Sequence, residues 1–296
     1  MANIGAIIGG GFGLIRRHPG PVLAWGAISA VSGAAIGWAQ WRLGVPDTAL
    51  VNAASLIGRS TLGLLLGLLS LVISTVLSTA AFRAVLRPQA GGFAFLRLGI
   101  DEARMIGLTL LLYVITIVAG IVGAAGFAFL VALIGFVTGS QAAAQTLASL
   151  LALAALGALI FVFVRLSLVY PLVLLRRRIT IDDSWEATRG HFWSLLGTYI
   201  LLALISLAMV MLVMLPVAGV HVQQMASGGM RSWSTMQPFD MRGLATLAPG
   251  ALLGLAASVL VNTLLLALWS GALATAARDL AEAEEEPQVI EEEGYY

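Results

Sequence analysis

The sequence predicts an all-α integral membrane protein. Six transmembrane helices are expected as three hairpins, each preceded by a cytoplasmic amphipathic interfacial helix. Three observations carry that expectation. Hydrophobic residues make up 59% of the 296 residues and charged residues only 10%, with a mean hydropathy of +0.97, against about 25% charged in soluble chains. Apolar runs of 18 or more residues recur, and about 20 helical residues cross a hydrocarbon core of roughly 30 Å. Short segments rich in arginine and proline separate those runs.

Residues 1–18 place Ile4, Ile8, Phe12 and Ile15 at helical spacing before Arg16-Arg17-His18. That pattern predicts a helix in the headgroup plane, too short to span. The first residues lack a basic region, Arg16 and Arg17 stand instead in front of the first span, and no convincing small-x-small cleavage site follows that span, so the first helix is expected to be retained. Pro19 and Pro21 then turn the chain into a first span at 22–41, with Trp38 and Trp41 at its far interface. A second span at 60–82 is stopped by Arg83, Arg87 and Pro88. The next amphipathic piece sets Phe93, Leu96, Ile100 and Ala103 on one face and an Arg97–Asp101 pair on the other.

No charged residue occurs in the 60 positions from Met105 to Val164. One helix that long would reach about 90 Å at 1.5 Å per residue, so the chain must fold back. The polar break TGSQAAAQ, Thr138 to Gln145, is the expected turn. It divides spans at 105–137 and 146–175, both longer than the minimum, which implies tilt, interfacial extension or a kink at Pro171. A third amphipathic piece follows. Thr180 and Asp183 form a capping-box pattern, with Ile181, Trp185, Thr188 and Phe192 opposite Asp182, Glu186 and Arg189. A fifth span at 193–220, a mixed loop and a sixth span at 244–277 complete a membrane domain over residues 1–278. An acidic, flexible tail is expected over 279–296.

All 16 basic residues are arginine, and eight of the 15 acids fall in the last 18 residues. The basic body suits anionic lipid headgroups more than nucleic acid. With the N-terminus cytoplasmic, eleven arginines (16, 17, 83, 87, 97, 104, 176, 177, 178, 189 and 278) lie on that side. Only Arg42, Arg59, Arg231 and Arg242 lie opposite. The positive-inside rule therefore places both termini in the cytoplasm. Absence of lysine with abundant Ala, Gly, Leu and Arg fits a GC-rich, bacterial genome, hence the inner membrane. Absence of cysteine removes thiolate chemistry. Phe12-Arg16, Phe93-Arg97 and Trp185-Arg189 repeat one aromatic–arginine spacing, a pattern that would mark three repeated units.

The run Arg165-x-x-x-x-Tyr170-Pro171, the basic turn after it, Ser184-Trp185 and the apolar helix after Trp193 form a recognisable pattern. It is similar to the membrane domain attached to some glycerophosphodiester phosphodiesterases and to related six-helix bacterial membrane proteins. AFRAVLRP at Ala81 to Pro88 and FAFLRLGIDEAR at Phe93 to Arg104 strengthen the likeness to stand-alone members. The resemblance implies a fold and an envelope or lipid-related role. It does not imply diesterase activity, because these residues hold no such catalytic domain.

Arg165, 11 positions before Arg176, falls in the hydrocarbon or at its inner edge. Such an arginine is either an anion ligand or a side chain that snorkels or bonds freed carbonyls. Arg176, Arg177 and Arg178, with Arg83, Arg87, Arg97 and Arg104, either set the topology alone or also form a cytoplasmic pocket for phosphate headgroups, since guanidinium forks match phosphate oxygens. Arg189, His191 and His18 complete the lipid- or anion-binding candidates. The two histidines follow arginines at matching repeat positions, and the third, His221, is placed on the opposite side. Asp182, Asp183 and Glu186 read as helix-capping acids. Asn262 and Thr263 form a polar pair in the last span.

No metal-ligand spacing, cofactor motif or nucleophile–base set is assembled by these residues. The expected function is non-enzymatic: binding of anionic phospholipid, or service as an accessory subunit to a membrane-protein partner or a homo-oligomer. A small-solute or lipid transporter is the alternative, favoured by the arginine and the pseudo-repeat. It is disfavoured by spans that look unbroken and carry no intramembrane acid.

Overall fold

The computed structural model describes residues 4–43, 56–89, 92–97, 99–179, 181–226 and 249–293. These contain no strand. The elements are α1 (Ile4–Arg17), α2 (Pro19–Leu43), α3 (Leu56–Leu86), α4 (Ile100–Thr138), α5 (Gln141–Leu166), α6 (Val169–Arg176), α7 (Asp182–Ala187), α8 (Phe192–Ala226) and α9 (Pro249–Glu293). Six segments are long and apolar enough to cross a membrane: Pro19–Gln40, Thr61–Leu86, Phe93–Thr138, Gln141–Arg176, Phe192–Val220 and Gly250–Glu282. They overlap the six expected spans one for one, because uninterrupted hydropathy over a span's length is a strong signal.

The last helix organises the bundle. α9 packs against α1, α2, α3 and α8 and reaches α6 and α7. Its buried Ala267, Ala272, Ala274, Ala276 and Ala277 keep that surface thin enough for several neighbours. Contact with α1 is closest. A Cβ added to Gly271 would stand 2.8 Å from the Gly10 carbonyl oxygen, and one on Gly11 would stand 2.6 Å from the Leu268 oxygen. The two backbones therefore meet without intervening side chains.

This seam changes the reading of α1. Its buried face is Ile7, Gly11 and Leu14, turned against α9, whereas Ile4 and Phe12 from the expected apolar face are exposed. Periodicity marked a helix with apolar residues on both flanks, and it could not tell the protein-facing flank from the other. Most exposed large hydrophobic residues lie on α4, α5 and α8, among them Ile121, Phe136, Leu159 and Leu212. Apolar patches of that extent mark a membrane-facing or interface surface.

The turn between α4 and α5 is tight. Gly139 takes a left-handed φ of 60° and Ser140 caps α5 by accepting from the Ala143 amide at 3.3 Å. It falls inside the expected break. The other amphipathic pieces differ from expectation. Residues Phe93–Phe95 form a single 3-10 turn with left-handed φ at Ala94 (51°) and Phe95 (59°), and α4 starts only at Ile100. Gly92, at a left-handed φ of 143°, and Gly99, the N-cap of α4, interrupt what periodicity read as one amphipathic piece. The third piece is the six-residue α7, capped by Ile181 without a side-chain bond. Three segments of similar pattern thus take three different forms.

The fourth span is interrupted between α5 and α6, at Ser167 and Leu168, one turn before the Pro171 at which a kink was one expectation. Ser167 is the residue whose carbonyl the ring of Pro171 crowds, four positions on. The Ser167 hydroxyl donates to Val164 O at 2.7 Å and is hydrogen-bonded to the Tyr199 hydroxyl at 2.5 Å. The last helix also does not stop at 277; its backbone stays helical to Glu293, as its alanines and glutamates favour. The loops over 44–55 and 227–248, the Thr180 capping position and the His221 side chain lie outside what is described.

Candidate anion-binding cleft

The end of α3, the segment that follows it, the start of α4 and the end of α6 meet around a cleft of about 520 Å³. Arg83, Arg87, Arg97, Arg104 and Arg177 line it, with Asp101 and Glu102. Five guanidinium groups face two carboxylates. Five of the seven arginines singled out in the sequence therefore line one cleft, whereas Arg176 and Arg178 are not among its lining residues.

The five do different work. Arg83 is ion-paired with Glu102, both nearly inaccessible, and donates to Phe95 O at 2.7 Å. Glu102 in turn accepts from the Gly99 amide at 3.0 Å, satisfying an orphan donor at the start of α4. Arg87 bonds Asp101 at 3.1 Å and the Leu174 carbonyl of α6. Arg104 stands 3.8 Å from the other Asp101 oxygen, a loose contact. Arg97 and Arg177 are exposed and make no ion pair or hydrogen bond among the described residues. Arg83 and Arg87 therefore build the walls, and Arg97, Arg177 and the loosely held Arg104 are the groups free to engage an anion. The expected Arg97–Asp101 pair is not formed.

The segment carrying Arg97 is pinned from below. Fully buried Trp25 donates its indole N–H to Ala94 O at 2.9 Å. His18 lies edge-on to the Phe95 ring, with centroids 5.4 Å apart. His18 thus supports the segment and is not among the cleft-lining residues. His191 lies at the α7–α8 junction with its Nδ1 buried and unbonded, and the two histidines share no contact among the described residues.

Arg165 is elsewhere. Its guanidinium is held between the rings of Phe161 and Trp185, 5.3 Å from each centroid. It donates to Trp185 O at 3.2 Å and to the Thr188 hydroxyl at 3.4 Å, while Ser184 donates back to Arg165 O at 2.8 Å. Of the two readings of this residue, the carbonyl-bonding one describes its contacts, with the carbonyl coming from α7 and not from the Pro171 break. Its role is to fasten α7 onto α5. Arg176 and Arg178 both pair with Asp183, at 2.9 and 3.3 Å, so Asp183 serves as a salt-bridge acid. Arg189 is exposed beside α7, outside the cleft.

Comparison with protein-family models, with curated proteins and with solved structures finds no match to this chain. The site must therefore speak through its own chemistry. Sequence reading missed Glu102, the carboxylate that neutralises Arg83. Its position in the first turn after Gly99 was the available signal, since an acid there satisfies the preceding amide. A second, smaller pocket of about 160 Å³ lies between α2, α3 and α9, lined by Ser29, Ser32, Ser70, Ser74 and Asn262 among others. Asn262 donates to Ser258 O within its own helix, and Thr263 packs on Gly26.

Proposed function

We propose that this is a bacterial inner-membrane protein, both termini cytoplasmic, that holds anionic phospholipid by its headgroup phosphate in the arginine cleft. It acts without catalysis, in envelope or lipid homeostasis, alone or as an accessory subunit of a membrane partner. Its six spans form three pairs. The observation that carries this reading is the pairing state of the cleft arginines. Among the described residues two guanidinium groups, Arg97 and Arg177, have no carboxylate partner, and the excess of arginine at that end of the bundle supports reading it as the cytoplasmic headgroup side. Guanidinium forks bind phosphate oxygens with charge-assisted bonds, and basic pockets between spans are a recognised form of headgroup site.

Native mass spectrometry of the protein extracted with its own lipids tests this. Wild type is expected to retain anionic phospholipid, and the Arg97→Ala, Arg177→Ala double variant to lose it while remaining folded. Lipid retained equally by both proteins would remove the cleft from the proposal.

Transport of a small solute or lipid is the second reading, and the break at Ser167–Leu168 is the observation that favours it, since interrupted spans line many transport sites. Flux in proteoliposomes, lost on straightening the span by Pro171→Ala, would move the conclusion there.

A further inference from the structure

We infer that the cleft takes a ligand carrying two phosphate groups, a conclusion that rests on the headgroup reading and narrows it. Five arginines and two carboxylates line one cleft. Glu102 neutralises Arg83, and Asp101 is shared by Arg87 and Arg104. Three positive charges remain uncompensated. One phosphodiester carries a single negative charge and would leave two of them facing one another. Two phosphodiesters leave one.

Geometry points the same way. The cleft, at about 520 Å³, is within the size range that encloses whole small molecules and is far larger than one phosphate. Its two unpaired guanidinium groups ride on separately anchored segments. Arg97 follows the turn held by Trp25 and Arg83, and Arg177 follows α6, whose Leu174 carbonyl is held by Arg87. Each planar fork can engage a phosphate of its own. Asp101, on the same lining, rejects phosphate and accepts from a hydroxyl. A short polyol link between the two phosphates would meet it with a donor.

The matching chemistry exists in two sources, a bisphosphate lipid and a soluble bisphosphate, and the experiment separates them. Purified protein is titrated with phosphatidylcholine nanodiscs containing cardiolipin, with nanodiscs containing phosphatidylglycerol at matched phosphate, and with pyrophosphate in detergent. Cardiolipin is expected to bind about tenfold tighter than matched phosphatidylglycerol, the scale of one added charge-assisted contact. Arg97→Ala and Arg177→Ala should each remove that preference, whereas Arg16→Ala, an exposed arginine outside the cleft, should leave it. Arg97→Lys should restore part of it, which separates a ligand contact from lost folding. Binding of pyrophosphate without cardiolipin would support the two-phosphate ligand and overturn its lipid origin. Equal binding of cardiolipin and matched phosphatidylglycerol would overturn the two-phosphate inference and leave the headgroup reading standing. Binding of none of the three would overturn both.

Discussion

Glu102, in the first turn of α4, is ion-paired with Arg83 near the end of α3, and each side chain is only 4% exposed. Desolvation makes such a pair weak evidence of net stabilisation. Here each partner makes a second bond: Arg83 also bonds Phe95 O, and Glu102 also bonds the Gly99 amide. The pair therefore joins two long helices to Phe95 and Gly99, the two residues that flank Arg97 in the connecting segment.

Removing one partner should be costly. Glu102→Ala leaves a buried guanidinium uncompensated, a loss of about 3–5 kcal/mol. Replacing both, as Arg83→Met with Glu102→Leu, should cost much less. Thermal unfolding in detergent reads this, and a single variant as stable as wild type would contradict the buried pair.

Trp25→Phe keeps most of the buried ring and deletes one hydrogen bond, to Ala94 O. The expected cost is about 1 kcal/mol. Because that bond holds a turn with two left-handed residues, amide exchange over residues 92–97 should accelerate. Unchanged exchange there would show that the tryptophan does not anchor the turn.

Gly271→Leu should separate α1 from α9, since even a Cβ at that position meets the Gly10 carbonyl and Gly11 Cα at 2.8 Å. Gly13→Leu, where a Cβ would meet nothing within 4 Å, is the control. Limited proteolysis near residue 18 is expected to rise in the first variant and not in the second.

Arg165→Ala should lower stability by about 1–2 kcal/mol through lost cation–π and hydrogen-bond contacts with α7. Lipid retention should not change, because the residue does not line the cleft. Loss of retention at full stability would return Arg165 to the ligand set.

Hydropathy alone placed all six candidate spans and the turn at Gly139–Ser140, because lipid-compatible length and a polar break are local properties of a chain. The arginines were legible as well, and all five that line the cleft were among those singled out from the sequence. What each arginine does was not local. The same residue type serves as a paired strut at Arg83, a ring-clamped fastener at Arg165 and an unpaired group at Arg97. These roles depend on acids and carbonyls brought in from other helices: Glu102, Leu174 and Trp185. Likewise the pattern Phe-x-x-x-Arg or Trp-x-x-x-Arg could be read three times, yet glycines around residues 91–99 and docking by Arg165 gave the copies different structures. The chain by itself determined the solvent, the span number and the charge supply; only packing decided which charges are neutralised and which are left for a ligand. Burial makes that decision, since an arginine enclosed by protein must find a partner and one at an open cleft need not.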